Sequence, residues 1–280
     1  MKTFKTVAFI AILTSILYSC QNDELFEPEP AQEVPAEVLL KIQQLGVNTT
    51  GVIPYTQELP DGTKEFGWLS HDIFLSHDDI LNMPNLPSSE DEVTQKLYRT
   101  NNLVRVPNNG RRVITVRGRN LNRNLRRGLR RAVANYNNLN LKFRLELSFG
   151  NNNGGKNIVV FSNSSNNQGG VAGFPRNGNP FNRVEIDGGS SSLPLGAIEH
   201  LMTHELGHCF GLRHSDFGTR SSCPPFLQGN EGAGSIGAVF IPGTDGSVDS
   251  QSSVMRACFR INETGNFFRQ DRVGLRRLYQ

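Results

Sequence analysis

Two hydrophobic periods divide the chain. Leu121, Leu125, Leu129 and Val133 fall four residues apart, one stripe of an amphipathic helix expected to end near Leu139. Ahead of it, Val113-Ile114-Thr115-Val116 reads as a strand. Behind it, Leu141 to Leu147 alternates apolar and polar residues, Asn157 to Phe161 is a short buried run, and Val184-Glu185-Ile186-Asp187 is one more strand. Asn-, Gly- and Ser-rich stretches at 150–157 and 162–170 read as the loops between them. Later, Ile198, Met202, Leu206 and Cys209 line up as the apolar stripe of a second long helix. The order strand, helix, strand, strand, strand, helix predicts an α/β (α+β) fold, a twisted mixed sheet backed by helices.

The first third reads differently. Val38, Leu39, Ile42 and Leu45 recur at helical spacing from Ala36, and Gly46 stands where that helix would stop. A short helix is expected near Ser76, with Asp79 three residues on as its capping partner. Residues 36–97 thus form a leading segment, either a propeptide or an accessory subdomain, before a main body at 98–280. Residues 20–35 are acidic and proline-rich (Glu27-Pro28-Glu29-Pro30), the composition of an extended tether.

At the very start, Lys2 and Lys5 precede an apolar run from Val7 to Tyr18 that is too short to span a bilayer as a helix. Residues 1–19 therefore read as a secretory signal peptide. Leu17-Tyr18-Ser19-Cys20 resembles the lipobox of bacterial lipoproteins, in which the cysteine is lipidated; the plainer reading is a signal peptide with an incidental cysteine. Gln21-Asn22-Asp23-Glu24 is similar to an acidic tag that sends such lipoproteins to the cell surface. The implied location is the outer membrane, with acyl chains on Cys20 as the anchor. Removing the first twenty residues takes away two lysines and no acids, so the net charge falls from +3 to +1, and nothing in that balance demands an acidic partner. Arg123, Arg126, Arg127, Arg130 and Arg131 crowd the polar side of the first long helix. Without a nucleic-acid module beside them they read as a solvated face, and no nucleic-acid partner is expected. Beyond Cys20 there are Cys209, Cys223 and Cys258; Cys209 falls inside the second helix, which leaves Cys223–Cys258 as the preferred disulfide.

The chemistry concentrates in His204-Glu205-Leu206-Gly207-His208. Residues four apart on a helix project from one face, so His204 and His208 can chelate one metal. Glu205 points the same way but lies too far to be a ligand, and suits a base acting on a metal-held water. Gly211 can take the positive φ that ends the helix abruptly, so that His214 reaches the metal from a loop. Three imidazoles and a water make an open, catalytic zinc site. His200 makes a rival pair with His204, but that register puts Leu201 where the base belongs. Asp216 can orient an imidazole or cap a turn; both readings stand.

The extended motif, followed by Ser253-Val254-Met255-Arg256, resembles the metzincin zinc peptidases with their Met-turn. Within them the chain is most similar to the bacterial dual-action HEIGH metallopeptidases, although it reads His-Glu-Leu-Gly-His. Ile241-Pro242-Gly243-Thr244, His214-x-Asp216 and Cys258 fit that group. The resemblance implies a zinc-dependent endopeptidase acting on extended protein or peptide substrates, with one catalytic Zn2+, Met255 as the floor beneath the metal (otherwise a plain core methionine), and a small irregular lower subdomain closed by a helix over Asp271–Tyr279. Gly170, Val171, Ala172, Gly173 and Phe174 resemble the edge strand on which substrate lies by β-augmentation; alternatively they are an ordinary edge strand ended by Pro175. Position 257 is alanine, so a tyrosine ligand after the Met-turn is not expected. The leading segment holds no cysteine after Cys20, which excludes a cysteine switch; any latency requires another ligand. Calcium is compatible with the Asn- and Asp-rich stretches at 150–153 and 245–249, but no recognised calcium loop is present. A monomer is expected. The competing functional reading is a non-catalytic, zinc-containing surface adhesion lipoprotein, against which an intact Glu205 argues.

Overall fold

The computed structural model describes residues 33–59, 62–82, 97–151, 157–244 and 253–280. Cys20, its tether and most of the two candidate calcium stretches lie outside these residues. Residues 33–280 form one compact unit. Its chain opens with helix α1 (Ala36–Leu45), ended by Gly46 at φ 77°. Three antiparallel strands follow, β1 (Ile53–Glu58), β2 (Lys64–Ser70) and β3 (Ile73–Ser76), paired in the order β1-β2-β3. Only helices were expected in this segment. The apolar positions of these strands face two ways, onto α1 and onto the main body, which hides the simple alternation that marks a one-sided strand. Helix α2 (His77–Asn82) begins where Ser76 and Asp79 cap each other, with Ser76 N–H donating to Asp79 at 2.9 Å and Asp79 N–H to the Ser76 hydroxyl at 3.2 Å.

After the two-residue β4 (Tyr98–Arg99), the main sheet begins with β5 (Arg112–Arg119). Helix α3 (Arg123–Asn137) follows, with the Asn122 side chain accepting from Leu125 N–H at its start. The crossover returns as β6 (Phe143–Phe149), then β7 (Ile158–Ser162), β8 (Gly170–Val171) and β9 (Arg183–Ile186). The spatial order is β6-β5-β7-β9-β8, with every pair parallel except β8 against β9. Alternation in β5 sends Ile114 and Val116 into the core and leaves Val113 half exposed, so one face of the sheet carries the helices.

Helix α4 (Leu195–Cys209) packs beside α3 and against β8 and β9, and almost all of it is buried. The helices touch closely because Gly128 of α3 has no Cβ; one placed there would lie 2.4 Å from Ile198. The leucine stripe of α3 and the Ile198, Met202, Leu206 and Cys209 stripe of α4 share one core with Ile114, Val116 and Val160. The arginines of α3 lie on its outer side, where Arg126 and Arg130 stack over Phe149 and Arg131 pairs with Glu199. Beyond α4 the described residues include a short 3-10 turn (Pro225–Leu227), β10 (Val239–Phe240), paired with β4, and the final helix α5 (Arg269–Tyr279). Cys223 and Cys258 form a disulfide across this lower part, and Cys209 is a buried free thiol. No described helix is long and apolar enough to cross a membrane.

Candidate metal centre

Helix α4 stops in a Schellman turn that sets the geometry of the site. Gly211, at φ 93°, donates its N–H to His208 O at 2.8 Å, and Leu212 donates to Gly207 O at 3.0 Å. Strand β4 holds the returning chain, with Arg213 N–H donating to Tyr98 O and Thr100 N–H to Gly211 O. The reversal carries His214 back beside His204 and His208.

Each imidazole has one nitrogen committed. His204 Nδ1 lies 2.8 Å from Val254 O, His208 Nδ1 2.9 Å from Leu212 O, and His214 Nδ1 2.6 Å from Glu231 Oε1. A carbonyl or an ionised carboxylate only accepts, so all three Nδ1 atoms carry hydrogen and the Nε2 lone pairs are left for one common point. His204 Nε2 stands 3.0 Å from His208 Nε2 and 3.3 Å from His214 Nε2. Ligands about 2.0–2.1 Å from a tetrahedral zinc stand roughly 3.3 Å apart, so this donor set fits that ion. All three histidines are buried.

A fourth donor completes the group. Asp72, at the tip of the β2–β3 hairpin, brings Oδ2 to 3.0 Å from His214 Nε2 and 3.3 Å from His204 Nε2. Its sequence neighbours carry no motif, and its histidine partners lie more than 130 positions away, so no local pattern marks it. Glu231 is the other functional residue that sequence reading missed. Asp216, which could either orient an imidazole or cap a turn, does not reach an imidazole. Instead its carboxylate accepts from Ser222 N–H and hydroxyl and from Ala257 N–H, tying two loops together. Glu231 has the reach to His214 Nδ1 because Arg213 and Arg220 hold its carboxylate in place.

Electrostatics follow from this packing. Burial works to raise the Glu231 carboxyl, but His214, Arg213 and Arg220 outweigh it and bring the pKa down to about 2. For metal-free His214, burial opposes the charged form, yet Asp72 and Glu231 raise the pKa to about 10. His208 is pushed well below the usual imidazole range by burial and by the two neighbouring histidines. Glu205 rises well above the carboxylate range through burial first, then through Asp72 and Asp187.

Glu205 lies outside the ligand group, on the flank of α4 that meets β8. A Cβ on Gly170 would lie 2.9 Å from Glu205 Cγ and Oε1, so strand β8 runs directly against the carboxylate. Oε2 is buried without a hydrogen-bond partner among the described residues. His200 turns aside, with Nδ1 3.1 Å from Thr264 O, and takes no part in the ligand group. Met255 is fully buried beneath the site, with its sulfur packed on Gly207. The turn around it is clamped by Asp271 of α5, which accepts from Ser253 Oγ at 2.6 Å and Val254 N–H at 3.0 Å. Gly170 and Val171 form the edge strand β8, while Ala172, Gly173 and Phe174 continue past its end.

Residues 68–279 match the family described as dual-action HEIGH metallo-peptidase. None of the curated proteins matches the chain. Among solved structures, two of myroilysin resemble it at 14% and 12% identity. Their TM-scores are 0.42 and 0.36, over 63% and 60% of this chain and 97% and 85% of theirs. The high choriolytic enzyme 1 of medaka, Oryzias latipes, a hatching enzyme zinc-protease, is 15% identical with a TM-score of 0.40, over 63% of this chain and 93% of its own. A family match across most of the chain, on the stretch that contains the three convergent histidines, makes this protein a member of the dual-action HEIGH metallopeptidases, enzymes that hydrolyse peptide bonds.

Proposed function

We propose that the protein is a zinc-dependent endopeptidase in which Glu205 is the general base and an extended substrate lies along Gly170–Phe174. The observation that carries this is the commitment of all three Nδ1 atoms, which leaves three Nε2 lone pairs aimed at one point beside Glu205. His204, His208 and His214 would hold the zinc, which when bound would supply Lewis acidity to a water and to the peptide carbonyl. Glu205 takes the proton of the attacking water on its carboxylate and passes it to the departing amine nitrogen. Oε2, which has no hydrogen-bond partner among the described residues, is free to receive the proton. Strand β8 positions the substrate backbone, because its contact with Glu205 brings any peptide paired to it within reach of the base.

Glu205→Gln tests the assignment. The zinc-loaded variant is expected to keep one ion per chain and to lose about 10²–10⁴ in peptide turnover. Undiminished turnover in a fully loaded Glu205→Gln protein ends the assignment.

The export signals support a further part of the reading: an outer-membrane lipoprotein anchored through Cys20 and exposed at the cell surface. Labelled fatty acid should enter the native chain and not Cys20→Ser; equal labelling of both refutes it.

A further inference from the structure

Past the end of strand β8 lies a cavity of about 320 Å³, walled in part by Glu65, Phe174, Arg176, Phe181, Asn182 and Arg183. Phe174 joins it to the metal centre, since its ring packs edge-on against His208 with centroids 5.5 Å apart. An extended peptide advances about 3.3 Å per residue. One laid along Gly170–Phe174 therefore brings a side chain two or three positions from the scissile bond to this cavity.

Two arginines give the cavity its chemistry. A two-residue turn, with Asn177 at φ 51° and Gly178 at φ 76°, closes between Arg176 and Asn179, which exchange backbone hydrogen bonds at 3.0 and 2.8 Å. Arg176 thus stands at the base of a tight hairpin, and Arg183 opens strand β9. Arg183 is buried, its guanidinium carbon 5.3 Å from the centre of the Phe181 ring and 5.4 Å from that of Phe74. Aromatic faces on that plane hold the fork in one orientation. Glu65 pairs with Nη2, yet Nε is buried with no hydrogen-bond partner among the described residues. A carboxylate that grips the fork with both oxygens satisfies the donor that Glu65 leaves bare. Arg176 pairs with Asp79 and donates to Ser76 Oγ at 3.0 Å. Both carboxylates come from the leading segment; among the described residues the main body supplies no ion-pair partner to either arginine.

We propose that this cavity is a specificity subsite for an acidic side chain of the substrate, with Arg183 gripping the carboxylate and Arg176 as the second cation. This rests on the peptidase reading above and names its substrate class. Glu65 fills the subsite from within the chain, and its side chain is 35% exposed. An incoming carboxylate replaces it while Glu65 turns to solvent, one ion pair exchanged for another.

The test uses the zinc-loaded full chain and labelled peptide pairs that differ only in Glu or Gln, two or three positions to either side of a central bond. Fluorescence anisotropy gives affinity, and cleavage gives kcat/KM. At one of those positions the Glu peptide should bind roughly tenfold more tightly than its Gln twin. That ratio should widen in Glu65→Gln, where the competing anion is gone, and shrink in Arg183→Met and Arg176→Gln. The Arg176 side chain is 40% exposed, so its variant serves if Arg183→Met fails to fold. Equal affinity for the twins in both native and Glu65→Gln chains overturns the proposal, as does a Glu preference that survives loss of either arginine. Glu-selective binding with no peptide cut supports the subsite and counts against the peptidase reading instead.

Discussion

Glu231 accepts the Nδ1 hydrogen of His214 at 2.6 Å, and by doing so decides which nitrogen of that ring faces the metal. The pair joins two stretches of the irregular lower part, one carrying the third ligand and one carrying its orienting carboxylate. Arg213 and Arg220 complete a buried charge group around it. Replacing Glu231 by Gln keeps an acceptor but removes the charge that sets the ring. Zinc affinity, read by competition with a chromogenic chelator, should fall by about 10–100-fold. An unchanged affinity means that His214 needs no such partner.

The same group couples metal uptake to protons. Without metal, His214 titrates at about 10 and is therefore a cation at pH 7. Because this folded value lies above the ordinary imidazole one, its ion pair stabilises the metal-free fold below about pH 6.5 and that contribution fades as pH rises through 10. Glu231, depressed to about 2, contributes stability above its ordinary carboxylate range that is lost as pH falls through 2. Zinc must displace the His214 proton, so binding at pH 7 should release about one proton per ion. Calorimetry in buffers of different ionisation enthalpy measures this directly; no buffer dependence would place His214 neutral beforehand.

Gly211 is required twice, by its φ of 93° and by its surroundings, since a Cβ there would meet Leu103 at 2.9 Å and Thr100 Oγ1 at 3.0 Å. Gly211→Ala should destabilise the fold by about 1–3 kcal/mol through backbone strain. It should also weaken zinc binding, because the Leu212 carbonyl that orients His208 belongs to the same turn. Thermal melts with and without zinc separate the two effects. A variant that melts like the native chain refutes both.

The Cys223–Cys258 bridge spans 35 positions and ties the loop after His214 to the chain leaving the Met-turn. Loop-closure entropy gives such a bridge about 3–4 kcal/mol. The Cys223→Ser, Cys258→Ser double variant should lose roughly that stability in urea titration, whereas Cys209→Ser, lacking any bridge, should not be rescued or worsened by reductant.

Much of this was legible in the chain. The four-residue spacing of Leu121, Leu125, Leu129 and Val133 announced α3, and the two histidines on one face of α4 with Gly211 beyond them announced the metal. Such signals are local, written within one or two helical turns. The β1–β3 sheet escaped because its residues are shared between two cores, with Trp68 and Ile73 facing α1 while Phe74 joins the main body. Asp72 and Glu231 escaped for a related reason. A lone carboxylate acquires its role only from distant partners, and nothing in its own neighbourhood encodes them. Asp216 drew attention by lying near His214 in sequence, yet two residues along a turn point its carboxylate at Ser222 and Ala257.

The sulfur of Met255 rests where a side chain on Gly207 would have to go, 2.4 Å from the position of a Cβ, with the Tyr136 hydroxyl close behind. Oxidation to the sulfoxide adds an oxygen to that sulfur, and this packing holds no room for it. Full burial keeps oxidants away from that sulfur in the folded chain, so the floor of the metal centre is shielded, and a sulfoxide formed during a local opening would press on the helix that carries two of the three imidazoles.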